Sequence, residues 1–115
     1  WDPKNDQEVV LEAVRQSGKA LHFAGRSCRA DRDVVLAAVQ RTWWALRWAA
    51  GDCNNDTEIV FTAVRRNGLA LQWASVACQS DRSIVLAAVK TNGKAMKWVA
   101  ESLRSDPEIA LAAVR

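Results

Sequence analysis

The sequence predicts an all-α fold, an α-solenoid formed by a right-handed stack of antiparallel helix pairs. Two observations support this class: a 25-residue internal repeat, and an apolar pattern with helical spacing inside each repeat. An Asp recurs with this period, and columns of Val or Ile, Leu or Phe, Ala and Val follow it in each unit. The Asp column consists of Asp6, Asp31, Asp56, Asp81 and Asp106. Because a 25-residue helix pair cannot bury its apolar face alone, stacked pairs are expected to share one continuous core.

The repeat makes residues 1–115 a single helical-repeat domain of four units and part of a fifth. The units cover about residues 6–30, 31–55, 56–80, 81–105 and 106–115, which corresponds to about nine short helices. The composition, 50% hydrophobic and 25% charged, is typical of a globular chain. A compact closed bundle of the same helices is the structural alternative.

The first helix of each unit is predicted to begin at the recurring Asp, whose carboxylate can accept from the free N–H groups of the first turn. Pro107, directly after Asp106, suits the first helical position. Gly18, Gly68 and Gly93 are expected to end this helix as left-handed residues. Its apolar arc of roughly 200° is wider than that of a surface helix and predicts burial on two sides.

The second helix is predicted over about residues 19–28 in the first unit, with loops of only two or three residues before the next Asp. Such short loops favour antiparallel neighbours. Its apolar face is narrower than that of the first helix, and His22 and Arg26 lie on the opposite face. The second helices should therefore form the more exposed layer, with His22 at the surface.

The sequence DRSIVLAAVK at 81–90, followed by NGKA at 92–95, resembles a short tandem repeat catalogued as domain of unknown function 4116. The similarity covers essentially the whole chain. It implies a helical repeat with no assigned activity, in a family frequent in algal, protist and some bacterial proteins. Unit two departs from the pattern because Trp43 stands where the other units have Gly.

The repeat also brings cysteines and aromatic residues into columns. Stacked units place equivalent residues about 9–10 Å apart, too far for disulfides or shared metal ligation. The cysteines are therefore predicted to be buried thiols. The aromatic column is predicted to border the core, and a stacking surface for bases or a flat cofactor is the alternative. These columns are Cys28, Cys53 and Cys78, with Leu103 in the fourth unit, and Phe23, Trp48, Trp73 and Trp98.

A partner-binding patch is predicted where the central units differ from the outer ones. The first residue of the second helix is Lys19, Trp44, Leu69 and Lys94 in successive units, and seven residues later come Arg26, Gly51, Val76 and Glu101. Outer units are charged here and the central ones are mostly apolar. Large apolar patches with polar rims mark interaction sites. The predicted patch is Trp43, Trp44, Leu69 and Val76, unless the second helix curves so that these residues lie under a neighbouring unit.

A basic column near the ends of the first helices could bind an anionic ligand. Its predicted members are Arg15, Arg65 and Lys90, with Arg115 in the last unit and Arg41 and Arg66 beside them. Favourable interaction with the helix dipole already explains these charges. The net charge of +3 is too small to indicate nucleic acid by itself. Nucleic-acid binding is accordingly the alternative to a role as a protein-interaction scaffold or accessory subunit of a larger complex.

The sequence contains no catalytic triad, phosphate-binding glycine motif or metal-ligand spacing. We therefore expect no enzymatic activity, cofactor or metal. No signal peptide or membrane-spanning run is present in the chain, and a soluble domain is expected. The apolar residues of the last helix suggest docking or a longer array. Contact with membrane lipids or pigments rests only on analogy with the resembled family.

Overall fold

The computed structural model describes Pro3 and residues 6–114, and every regular element in this part is helical. Five longer α-helices begin the units, and short α-helices end three of them. In chain order these are α1 (Gln7–Gln16), α2 (Arg26–Arg29), α3 (Arg32–Arg41), α4 (Thr57–Arg66), α5 (Val76–Gln79), α6 (Arg82–Thr91), α7 (Glu101–Arg104) and α8 (Pro107–Ala113). The 3-10 helices are Gly18–Phe23, Trp43–Trp48, Cys53–Asn55, Gly68–Trp73 and Gly93–Trp98.

The recurring Asp caps every long helix, as predicted. In each unit its side chain accepts from the backbone N–H groups two and three residues later. For α3, Asp31 Oδ1 lies 2.9 Å from the backbone N of Asp33 and 3.3 Å from that of Val34. Pro107 occupies the first turn of α8, where its missing N–H has no cost. The column therefore sets where each long helix begins.

The prediction that left-handed glycines end the long helices was wrong. The residue after each complete long helix is extended, for example Asn67 with φ −159°, and Gly51 is the only described residue with positive φ, at 62°. The column glycines are needed for close approach instead. A Cβ at Gly68 would lie 1.9 Å from the Ala88 carbonyl oxygen, and one at Gly93 would lie 2.0 Å from that of Ala113. Only a residue without Cβ permits this contact with the next unit.

The continuous second helix predicted over about residues 19–28 was also wrong. The first unit forms a 3-10 helix to Phe23, continues through extended Ala24 and Gly25, and then makes the single turn α2. In later units the residue at the break donates its backbone N–H to the preceding unit: Ala50 to Arg29 O at 2.7 Å, and Ser75 to Asn54 O at 2.9 Å. A continuous α-helix would keep this donor for its own i−4 carbonyl. A tertiary hydrogen bond therefore stabilises the break.

The helices form two layers around one core. Successive long helices contact one another, and the 3-10 helices do the same on the other side. Each interior long helix packs against the 3-10 helix of its own unit and that of the preceding unit. These contacts bury the long helix on a second side, as its wide apolar arc predicted. In α3 the fully buried residues are Val34, Val35, Ala38 and Val39, while Leu36 and Ala37 are half-buried. The molecule measures 53 × 22 × 17 Å.

Arginine clamps connect the starts of neighbouring long helices at two junctions. Arg32 Nε lies 2.6 Å from Asp56 Oδ2, and its Nη2 also binds Glu58. Arg82 repeats the arrangement, with Nε 2.9 Å from Asp106 Oδ2 and Nη2 2.7 Å from the Glu108 carboxylate. Exposed ion pairs contribute little each, but one guanidinium that donates to two different carboxylates of the next unit constrains its orientation relative to that unit. The clamps therefore help to hold the register between successive units.

Acid should weaken the second clamp. The hydrogen bond from Arg82, with further donors from the first turn of α8, lowers the pKa of Asp106. Its stabilising contribution is thus present above the unfolded-state pKa of about 3.9 and is lost as pH falls through the lower folded-state pKa. We expect the stability difference between the wild type and Arg82→Gln to shrink below about pH 4. Urea unfolding from pH 7 to pH 2 measures it.

The control for this prediction is Arg66→Gln. Arg66 is exposed, and within the described residues it forms no ion pair. Its effect on the free energy of unfolding should vary less with pH across the titration of Asp106. Wild-type and Arg82→Gln stabilities that run parallel from pH 7 to pH 2 would contradict the assignment.

Candidate partner-binding surface

The aromatic column forms a ladder with the polar column that precedes it. The His22 ring lies between Phe23 and Trp48, with centroid distances of 4.9 Å to each. The Arg47 guanidinium lies over both Trp48 and Trp73, 5.6 and 5.9 Å from their centroids. One polar side chain thus joins the aromatic residue of its own unit to that of the next. Such cation–π contacts contribute about 0.5–1 kcal/mol at exposed sites.

The ladder bears on the two interpretations of the aromatic column. Trp48, Trp73 and Trp98 are half-buried and pack against the core, whereas Phe23 is 64% exposed. Bases and flat cofactors stack on open ring faces. Because Arg47 already covers Trp48 and Trp73, the column has the character of inter-unit packing more than of a ligand platform. His22 is exposed, as predicted, but sequence reasoning missed its place between two rings.

Trp43 and Trp44 form a cluster with Trp73 across the second and third units. The Trp43 and Trp44 rings meet edge to face at 90°, with centroids 5.7 Å apart. Trp43 also lies 6.0 Å from Trp73 at an interplanar angle of 32°. Trp43 is half-buried in this cluster, while Trp44 remains 43% exposed. Trp43, which stands in the glycine column, therefore packs against Trp44, whose ring is partly exposed to solvent.

The other two residues of the predicted patch have different surroundings. Leu69 is half-buried in the 3-10 helix of unit three, at the position equivalent to Trp44. Val76 is 78% exposed and begins α5, beyond the extended Ala74. The seven-residue spacing that assigned Val76 to the face of Leu69 requires a continuous α-helix, which this segment does not form. The rings of Trp43 and Trp44 are in contact, whereas Val76 follows the helix break of unit three.

Cations flank this cluster along the same layer. Lys19 and Lys94 occupy the position of Trp44 in the outer units, and both are exposed. Arg47 lies within the cluster's own unit and stacks on Trp73. An apolar centre with a basic rim is complementary to a partner surface with an apolar anchor and an acidic rim.

The basic column lies on the other layer, along the outer face of the long helices. Arg15, Arg65 and Lys90 are all exposed. Arg15 lines a groove between α1 and α3, whereas Arg65 and Lys90 share one between α4 and α6. In unit two the column contains Gln40, so the cations do not form an unbroken track. The Arg65 guanidinium stacks on Phe61, 5.1 Å from its centroid.

The cysteines lie in the interior, as the packing interpretation predicts. Cys28, Cys53 and Cys78 are all buried. The Cys53 thiol donates to the Ala30 carbonyl across 3.4 Å, and burial raises its pKa. No group of three or more His, Cys, Asp or Glu in the described residues could hold a metal ion. Within Pro3 and residues 6–114, no helix has the length and hydrophobicity that a membrane span requires.

Repeated Asp-capped helices that alternate with 3-10 helices define a helical tandem-repeat domain. The chain belongs to the family described as domain of unknown function 4116 (DUF4116), whose model matches residues 6–52, 31–79 and 81–115. The matches begin at the cap residues Asp6, Asp31 and Asp81, and they confirm the resemblance seen in the sequence. Comparisons with curated proteins and with solved structures gave no match.

Proposed function

We propose that this chain is a non-enzymatic interaction module, an open α-solenoid that binds another protein through its central tryptophans. The observation that carries the proposal is the cluster of Trp43 and Trp44, in which one ring is held by packing and the other remains open to solvent. Tryptophan is enriched among residues that dominate binding energy. The module would act as a scaffold or accessory subunit of a larger assembly.

The solenoid architecture is supported by the order of contacts and by the dimensions. Long helices pack in chain order, α1 on α3, α3 on α4, α4 on α6 and α6 on α8. A length of 53 Å against a width of 22 Å suits a linear stack better than a closed bundle. In such a stack equivalent residues form rows. Residues that differ from the repeat pattern in two adjacent units therefore create a local surface.

The partner that fits this surface is a protein with an apolar anchor and acidic residues around it. The exposed Trp44 ring provides the apolar contact, and Lys19, Arg47 and Lys94 provide the basic surroundings. Charge complementarity of this kind adds mainly to specificity and association rate. Leu69, half-buried at the equivalent position of the next unit, would extend the apolar contact.

The test is affinity purification of the native protein from its source, followed by mass spectrometry. The double variant Trp44→Lys, Leu69→Lys places at both positions the residue that units one and four carry. We expect a stoichiometric protein partner with the wild type and its loss with the double variant, at unchanged circular dichroism. Phe23→Lys is the matched control, because Phe23 is an even more exposed aromatic residue outside the cluster.

Two outcomes would overturn the proposal. One is a partner retained equally by the wild type and the folded double variant, and the other is purification without any stoichiometric protein. Recovery of nucleic acid alone, with affinity that falls steeply with salt and after charge reversal of Arg65 and Lys90, would favour the basic column instead.

A further inference from the structure

The groove between α4 and α6 differs from the other grooves on the long-helix layer. It has a volume of about 470 Å³ and is formed by Phe61, Arg65, Ser83, Leu86, Lys90 and Thr91 together with Ala87. Half-buried Phe61 and Leu86 form its floor. Its volume is in the range of small-ligand and side-chain pockets. The groove thus combines an apolar floor with two cationic side chains.

None of the described residues that line this groove carries a carboxylate, whereas the equivalent grooves each contain one. Asp33 lines the groove between α1 and α3, and Glu58 lines the one between α3 and α4. The corresponding residue of α6 is Ser83. The clamp arginine is replaced at the same junction, since Thr57 stands in the column of Arg32. The arginine and the glutamate of the clamp are therefore both replaced at this junction, while the cap residue Asp81 remains. None of the described residues that line the groove is an acid that could balance its cations.

The two cations are available to a ligand. Within the described residues neither Arg65 nor Lys90 forms an ion pair, and both are exposed. The Phe61 ring supports the guanidinium of Arg65 from one face, which leaves its N–H edge to donate. A guanidinium edge and an ammonium group next to an apolar floor suit a peptide segment that carries carboxylates close to an apolar side chain.

We propose that this groove binds an acidic, extended segment of a partner protein. One bulky apolar side chain would cover Phe61 and Leu86, and carboxylates two residues before and after it, on the same face of the extended segment, would accept from Arg65 and Lys90. An extended segment, in which every second side chain faces the same way, can present one apolar side chain between two carboxylates to this groove. The site lies on the opposite layer from Trp44, so the two surfaces could be occupied at the same time.

The probe is the peptide GSEGLGEGS, in which Glu, Leu and Glu share one face of an extended chain, compared with GSQGLGQGS, in which Gln replaces each Glu. Titration of the ¹⁵N-labelled protein to about 5 mM peptide detects millimolar affinity. We expect chemical-shift changes at Phe61, Arg65, Ser83, Leu86 and Lys90, with at least fivefold weaker binding of the Gln peptide. Shifts that are equal for both peptides, or none in this groove, would overturn the proposal.

Variants taken from the chain's own repeats sharpen the test. Ser83→Glu restores the acidic residue of the neighbouring units, and Lys90→Gln introduces the residue that Gln40 supplies in unit two. Each should weaken binding of the acidic peptide at least fivefold. Glu suits the first turn of a helix, so Ser83→Glu should fold. Arg15→Gln, in the same basic column but another groove, should leave binding within twofold.

Two further results would count against the groove. Undiminished binding by folded Ser83→Glu would show that its missing carboxylate is irrelevant. Binding of vesicles of anionic phospholipid, without binding of the acidic peptide, would assign the cations to a lipid surface. The Trp44→Lys, Leu69→Lys variant should retain peptide binding, which separates this site from the tryptophan surface.

Discussion

Replacing Leu71 with alanine should lower the free energy of unfolding by about 3 kcal/mol. Leu71 is completely buried between the layer of long helices and the layer of 3-10 helices, in the third unit. Truncation removes its apolar contacts and leaves a cavity, and the surrounding helices can close only part of it. Urea unfolding monitored by circular dichroism measures the change.

The matched control for Leu71 lies in its own column. Met96 occupies the equivalent position one unit later but is only half-buried. Met96→Ala should cost about 1 kcal/mol, because part of its surface is already hydrated in the folded state. Equal losses for the two variants would contradict a core that is continuous through the third unit and less complete at the fourth.

The second large effect is expected for Gly68→Ala. At an unconstrained site this change stabilises by about 0.4–1 kcal/mol, because it restricts the unfolded chain. At Gly68 the new Cβ would meet the Ala88 carbonyl oxygen at 1.9 Å. A backbone oxygen cannot rotate away, so the third and fourth units must separate. We expect a net loss of about 2–3 kcal/mol, measured as a shift of the urea midpoint.

Gly18→Ala is the control at the same column. There the nearest atoms are the Ala38 carbonyl oxygen and the Thr42 Cβ, both at 2.5 Å, so the clash is milder. The loss should be smaller than for Gly68→Ala. A stabilising Gly68→Ala would show that close approach does not explain the glycine column.

The start of each unit could be predicted because its causes are local. An Asp followed by a helical apolar pattern caps the helix through its own backbone neighbours, and Asp31 and Asp56 do so in the structure. The repeat itself could also be recognised from the sequence, since a 25-residue period needs no three-dimensional information. Burial of the cysteine column also followed from periodicity.

The glycine and second-helix predictions failed because their causes lie in the neighbouring unit. Gly68 resembles a helix-ending glycine in sequence, but contact with Ala88 accounts for it. Residues 19–28 have the composition of an α-helix, yet hydrogen bonds to the preceding unit stabilise a break in later repeats. Val76 was assigned to the face of Leu69 through the same assumption of a continuous helix.

The amino-acid sequence by itself determined the repeat, the helix starts, the all-helical class and the family. Tertiary structure decided where the second helix of each unit is interrupted, which tryptophan is packed and which is exposed, and which cations share a groove. The physical reason is the distance along the chain over which each interaction acts. Caps and apolar periodicity act within one or two helical turns, whereas the ladder of His22 and Arg47 and the groove of Arg65 and Lys90 exist only when successive units stack.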